Sequence, residues 1–469
     1  MRRLTLFFVL LCTACTSPSF PGIDNPAYGQ NNQVDRDIIA YIDQRLEEEY
    51  YWLDEVAEKS YLFDREFCKW TDYLKSSLSK LKTNVDDGSV KSNGQRSFYS
   101  YITEVSSTTR AAVNSYGLLL HYTIIGNGDY YHFVVDHVYP DSPAAQAGVV
   151  RGDLITMVDG SYITRNNYSS LFSSIQNGTK QSLKLTFLRQ TTKENFTVQI
   201  GKGQYDENPV AHHEVIDVDG KKIGYISYIS FESEYDDELI AALQELKAQG
   251  AQELILDLRI NTGGAVNSAV TLCSALVPAT MEGEKLCELV RNPNNKRGTQ
   301  SSIFNLKDAG TIFSLDDLTV ICSNYSASSS ELVVMGLRGL DFPVTLIGSQ
   351  TEGKNCGMDV TRKTIGGKSL EFAPITFMCF NAKGNGDWGE GIVPDVDLKD
   401  ENNDFGLYDV NYPLPRADWG DEHYDIALAV AIAKITGKRL VATRASTIDE
   451  YAATISMDTP MRGIRLYHE

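Results

Sequence analysis

The chain has 469 residues, 42% of them hydrophobic and 22% charged. That is too long for one core and suits two or three domains, and it excludes both wholesale disorder and a multi-span membrane protein. With 43 basic against 62 acidic residues the net charge is −19, so phosphate backbones are repelled and nucleic acid is not an expected partner.

Arg2 and Arg3 precede an apolar run from Leu4 to Leu11 that is too short to span a bilayer as a helix. Cys12-Thr13-Ala14-Cys15 follows. The segment resembles a bacterial lipoprotein signal, although Cys12 stands where such signals usually carry Leu. The resemblance implies a signal peptide over 1–14, a lipid on Cys15 and a membrane-anchored lipoprotein of the cell envelope. No acidic run follows Cys15, which favours the periplasmic side over the cell surface. The other reading is an ordinary secretory signal with an incidental cysteine, and under either the protein leaves the cytoplasm. Six further cysteines (Cys68, Cys273, Cys287, Cys322, Cys356 and Cys379) include no CxxC pair. No metal site is therefore expected, and most of these side chains are expected as buried apolar groups.

Residues 15–34 are rich in Pro, Gly, Ser and Asn and read as a tether. Helical spacing begins at Asp35, with Ile38, Ile42, Leu46 and Tyr50 on one stripe and Phe67, Trp70, Leu74, Leu78 and Leu81 on a second. Residues 35–110 are read as an N-terminal helical unit whose aromatic stripe is core. A β-rich stretch follows over 111–203, with strands at 117–125, 131–138, 153–158, 182–189 and 194–200. Two short helices interrupt it, at 142–147 and 166–176. Within it, SPAAQAGVVRGDLITMVDG (Ser142 to Gly160) resembles the PDZ domain of bacterial proteases, a small β-rich barrel with two helices. In that family a loop before the first binding strand grips a chain-terminal carboxylate, and the peptide adds as a strand. By position the resemblance assigns peptide binding to Gly117, Leu118 and Leu119.

From Lys222 strands and helices alternate, within a domain read from residue 204. Strands are read at 223–229, 253–259, 318–324 and 343–349, with one helix ending at Gly250 and another over 331–340. This is an α/β domain extending to about residue 400, and 401–469 is read as an extension packed on it. Three of its segments carry chemistry. Gly263 and Gly264 directly follow a buried strand, where glycine lets backbone N–H groups approach a ligand; a plain tight turn explains them equally well. In TVICSNYSASSSELVV (319–334) a strand runs into a serine-rich turn and then a helix. A nucleophile there would have its hydroxyl exposed at the sheet's carboxyl edge, with N–H groups at the helix start to stabilise an oxyanion. The bland alternative is a helix cap by Ser329 or Ser330. Lys354 lies on a turn just past the next strand, ordinarily the place of a solvated charge.

Together the three segments resemble the carboxyl-terminal processing peptidases, or tail-specific proteases, whose catalytic domain is of the ClpP/crotonase-like α/β type. The fold class implied for the whole is multidomain, α+β and α/β. Carried over by position, the nucleophile is Ser328, the general base is Lys354, and the oxyanion donors are the N–H groups of Gly264 and Ser329. Gly391-Ile392-Val393-Pro394-Asp395 matches a further family motif. Met358 departs from it, because many members place a glutamine there to orient the lysine. The mechanism implied is a cofactor-free Ser-Lys dyad forming an acyl-enzyme. It requires Lys354 neutral, buried and away from carboxylates. The histidines lie far from these motifs in sequence, and Cys356 is not expected to be a nucleophile. The expected function is a serine endopeptidase acting on unfolded or chain-terminal polypeptide segments. The alternative is a non-hydrolytic peptide- or ligand-binding lipoprotein on the same scaffold.

Overall fold

Ile38, Ile42, Leu46 and Tyr50 recur at every fourth position, which places them on one face of a helix. The chain forms that helix over Gln33–Glu49, and all four side chains are fully buried. Asn32 starts it by accepting the Asp35 N–H at 2.9 Å. The helices Leu53–Lys59 and Trp70–Leu78 complete the group. The computed structural model describes residues 32–59, 69–90, 96–105, 113–438, 452–456 and 464–467. The signal segment, Cys15 and Cys68 lie outside the described residues.

The helical reading of 35–110 does not hold past Leu78. Ser89–Val90, Arg96–Ser97 and Tyr101–Glu104 are strands, and Tyr101–Glu104 pairs antiparallel with Lys368–Ala373. So short a strand has no period of its own; its partner far along the chain decides it. The sheet it joins runs Ser301–Asn305, Lys285–Arg291, Ile375–Asn381, Cys356–Ile365, Lys368–Ala373, Tyr101–Glu104, with Ile464–Tyr467 added parallel to Cys356–Ile365. Its residues Met358, Val360, Leu370, Phe372 and Ile375 form one core with the N-terminal helices. The sequence reading assigned no element to 285–305 or 356–381.

The β-rich region follows expectation closely. Leu118–Leu120, Thr123–Asn127, Tyr130–Val138, Leu154–Val158, Ser182–Leu188 and Asn195–Gly201 are strands around a core that includes Phe133, Ile155, Leu185 and Phe187. Ser142 caps the short helix Pro143–Gln146 by accepting the Ala145 N–H at 3.2 Å. The helix Tyr168–Gln176 also packs here. Ala452–Ser456 adds antiparallel to Thr123–Asn127.

The α/β domain is a six-stranded sheet in the order Val210–Val218, Lys221–Tyr228, Glu253–Asp257, Leu318–Cys322, Val344–Gly348, Val396–Asp397. The first pair is antiparallel and the rest parallel. Parallel strands are buried on both faces, hence the continuous apolar runs. Leu254, Leu256, Val320 and Leu346 meet the helices Asp236–Ala248, Val266–Leu276 and Ser329–Gly339. Ile255, Ile321 and Ile347 point the other way, to Ile426–Thr436. That helix is nearly all apolar because it is almost wholly buried, and each Leu or Ile it buries contributes about 1.5–3 kcal/mol. The loops leaving the carboxyl ends of Glu253–Asp257, Leu318–Cys322 and Val344–Gly348 converge at one edge, where α/β sheets place their sites. Among the described residues no helix is long and apolar enough to cross a membrane.

Candidate active site

Leu318–Cys322 is buried along its whole length, so the chain leaves the sheet at Ser323 and must turn sharply to enter the helix Ser329–Gly339. Ser328 occupies the N-cap position, with φ 62° and ψ −112°. Serine has no glycine-like freedom, and a backbone so strained persists only where its surroundings hold it. The other serines of the turn do the holding. Ser323 Oγ donates to the Arg259 carbonyl at 2.5 Å, and Ser326 Oγ donates to that of Leu258 at 2.8 Å. Ser329 Oγ donates to the Gly264 carbonyl at 2.8 Å, and Ser330 Oγ to that of Asn261 at 2.9 Å. Among these serines only Ser328 has a hydroxyl with no hydrogen-bond partner. The capping alternative is thus resolved locally: Ser329 and Ser330 tie the turn to residues 261–264.

Glu331 fastens this turn to the lysine loop. Its Oε2 accepts the Ser328 N–H at 2.7 Å and the Lys354 N–H at 2.8 Å. Oε1 accepts Thr351 Oγ1 at 2.6 Å and the Gly353 N–H at 2.7 Å. Burial pushes its carboxyl up to about 7, against the lowering effect of these four bonds. Glu352 N–H adds a tie to the Ser326 carbonyl at 3.1 Å. The Gly391 motif supports the loop from behind, with Ile392 N–H donating to Thr351 Oγ1 at 2.7 Å. A Cβ on Gly353, at φ +93°, would lie 2.4 Å from the Gly391 nitrogen, so the two segments meet backbone to backbone.

Gly264 sits at the third edge. Its φ of +144° and a Cβ position only 2.0 Å from the Phe231 carbonyl oxygen admit glycine alone. Asn261 shapes the turn, accepting the Gly263 N–H at 2.9 Å and donating to the Tyr228 carbonyl at 2.9 Å. Ser329 lies beside it through the Ser329–Gly264 bond. The two N–H groups expected as oxyanion donors thus belong to directly bonded residues.

Two expectations about the dyad need correction. Ser328 is 0% exposed, not displayed at the sheet edge, and Lys354 is also 0% exposed. Tyr325, three residues before Ser328, is covered by the β-rich domain: the His121 ring packs edge-on at 4.9 Å and Thr123 Oγ1 lies 2.9 Å from the Tyr325 hydroxyl. Nor is Lys354 remote from carboxylates. Its charge lowers the pKa of Glu352 and of Asp87, although burial dominates and raises both. The Lys354 Nζ rests 4.0 Å from the centroid of the Tyr99 ring. Tyr99 and Asp87 come from the N-terminal unit, and nothing in their local sequence marks them, because only long-range pairing brings them here.

Met358 is fully buried among the N-terminal helices and sheet. Burial holds the Cys356 thiol well above its ordinary range despite Lys354, so it is no thiolate nucleophile. Cys273, Cys287, Cys322, Cys356 and Cys379 are all buried free thiols. Gly117, at φ +83°, has Ser142 filling the space of a Cβ. Leu118–Leu120 pairs antiparallel with Tyr130–Val138, and Leu120 N–H donates to Gln176 Oε1 at 3.3 Å. This segment lies in the β-rich domain. Among the described residues no group of three His, Cys, Asp or Glu side chains could hold a metal ion.

Comparison with known proteins bears on this geometry. Residues 222–398 match peptidase family S41, and residues 134–189 match the PDZ domain. The chain is 26% identical over 258 residues to a probable CtpA-like serine protease of Staphylococcus aureus, covering 55% of this chain and 48% of that one. It is 25% identical over 260 residues to a carboxy-terminal-processing protease of Bartonella bacilliformis, covering 55% and 56%. The chain thus spans about half the length of these curated relatives. The crystal structure of an S41 protease from Bacteroides fragilis superposes with a TM-score of 0.64 at 22% identity, covering 85% of this chain and 97% of the other. That likeness establishes the multidomain fold.

Proposed function

We propose that this chain, which belongs to peptidase family S41 and carries a PDZ domain, is a serine endopeptidase working through a Ser328–Lys354 dyad. The observation that carries the reading is the Ser328 hydroxyl, alone uncommitted in a turn whose other serines are all bonded. Neutral Lys354 takes the Ser328 proton as Oγ attacks the scissile carbonyl carbon. The N–H groups of Gly264 and Ser329 stabilise the oxyanion. Collapse breaks the C–N bond, and the amine leaves with the proton from Lys354. Water, deprotonated by Lys354, then hydrolyses the ester and Ser328 recovers its proton. Because both dyad residues are 0% exposed, substrate entry requires the covering segments to move.

The PDZ domain supports a polypeptide substrate, with Gly117, Leu118 and Leu119 assigned to its strand-adding loop. The N-terminal sequence supports a lipid on Cys15 and residence in the cell envelope, on the periplasmic side. Loss of fatty-acid labelling in Cys15→Ser tests that part alone. Cleavage of an unfolded polypeptide such as casein tests the catalytic part. Lys354→Arg should be inactive although folded, because guanidinium keeps its proton. Substantial cleavage by that variant overturns the dyad and turns the search for a base to the histidines, His121 beside Tyr325 first.

A further inference from the structure

We infer that Tyr99, supplied by the N-terminal unit, is the positioning residue for the Lys354 head group. The inference rests on the reading of Lys354 as general base. A lysine carries its nitrogen on a flexible four-carbon stem. Here the backbone end is tied by the Lys354 N–H bond to Glu331. Met358, four residues on, is packed among apolar side chains and carries only a thioether sulfur. The Tyr99 ring does face the head, with Nζ 4.0 Å from its centroid, inside the range of about 6 Å for a cation over an aromatic face. For a buried base the choice of partner matters. An aromatic face attracts the ammonium without accepting a directed hydrogen bond from it, so it can place the head group and still let the nitrogen give up its proton.

The ring is itself rigidly placed. Fully buried Asp87 accepts the Tyr99 N–H at 3.0 Å, the Ser100 N–H at 2.9 Å, Ser100 Oγ at 2.7 Å and the Tyr50 hydroxyl at 2.7 Å. Ser100 Oγ accepts the Ile375 N–H at 2.9 Å, which pins this corner to the sheet that continues from the lysine loop. The Tyr99 hydroxyl donates to Glu352 Oε1 at 3.1 Å, locking the ring from its far end. Three elements thus fix the ring, and the ring spans the boundary between the N-terminal unit and the catalytic loop.

The test compares Tyr99→Leu and Tyr99→Phe in the full chain, using casein turnover and the rate at which a fluorophosphonate labels Ser328. Tyr99→Leu keeps bulk but loses the aromatic face. It should lower kcat about tenfold to a hundredfold with KM held within about twofold, and slow labelling in step, as expected of a displaced reacting group. Tyr99→Phe keeps the face and should retain kcat within about threefold. A merely structural role would instead reduce the folded fraction, read by thermal melting, and leave the labelling rate per folded molecule unchanged; that outcome overturns the inference. So does a Phe variant as slow as the Leu variant, or a Leu variant with normal kcat. If the Leu variant does not fold, Tyr99→Met is judged by the same criteria. Ser328→Ala and Lys354→Arg are assayed alongside. Cleavage surviving in those two defeats the dyad, whereas their inactivity with a normal Tyr99→Leu defeats only the role of Tyr99.

Discussion

Serines crowd the turn 323–330, yet their hydroxyls divide sharply by partner. Ser328→Ala removes a group bonded to nothing in the turn, so casein cleavage should vanish with little change in melting temperature. Ser326→Ala instead leaves the buried Ser323 N–H without its acceptor and takes one of two donors from the Leu258 carbonyl, which keeps the Asn261 N–H. It should cost about 1–3 kcal/mol of stability and leave measurable cleavage, checked by urea unfolding beside the activity assay. Glu331 is the more sensitive position. Glutamine keeps one acceptor oxygen and turns an NH2 toward two of the four donors that now bond the carboxylate. Glu331→Gln should therefore destabilise by about 2–4 kcal/mol and depress kcat, since it loosens the serine turn and the lysine loop together. Wild-type stability with normal kcat would count against Glu331 as the fastener.

At the scale of elements, the PDZ region carries three buried histidines on its strands and their connection. His121, His132 and His137 all have pKa values lowered by burial, His132 to about 4 and His137 to about 3 from an ordinary 6.5. His137 Nδ1 also accepts the Trp419 Nε1–H at 3.2 Å, a bond that needs the neutral ring. A depressed folded pKa means that the unfolded chain binds the protons first. The stability these rings contribute is complete above about pH 6.5 and is lost as pH falls toward 4. Urea unfolding followed by PDZ-region hydrogen exchange should show a loss of about 2 kcal/mol or more between those limits, reduced in His137→Phe. A PDZ region equally stable at both pH values would contradict the burial argument.

At the scale of the molecule, the PDZ domain is docked by polar and aromatic contacts to the segment 412–419. Arg151 stacks 3.7 Å over the Trp419 ring and donates to the Ala417 carbonyl at 2.8 Å. Gln190 donates to the Pro415 carbonyl at 3.0 Å. Trp419→Ala should destabilise by about 3–5 kcal/mol and separate a PDZ transition from the catalytic one in calorimetry. A single transition of unchanged midpoint would show that docking does not depend on Trp419. Deleting residues 112–200 removes the cover over Tyr325 as well as the segment proposed to bind peptide. Activity on casein and on a small activated ester should then change by different factors; equal factors would mean that the domain plays no part in delivering or admitting substrate.

Local pattern determined a good deal here. The four-residue spacing of Ile38 to Tyr50, the alternation of strands and helices from Lys222 and the turn residues of the PDZ region all encode their elements within a dozen residues, because periodicity and turn chemistry are short-range. The order strand–Gly–Gly, serine turn, lysine was likewise readable, since each piece sits on its own strand end. Which serine is uncommitted was not readable. That depends on carbonyls of residues 258–264, which come within reach only when parallel strands assemble. The strands of 285–305 and 356–381, the turn to β structure after Leu78, and the burial of Ser328 and Lys354 were likewise set by pairing and packing across hundreds of residues. Tyr99 and Asp87 reach Lys354 only through that pairing: a hydrogen-bonding partner far along the chain leaves no periodic mark on the local sequence, so tertiary structure alone decided what surrounds Lys354.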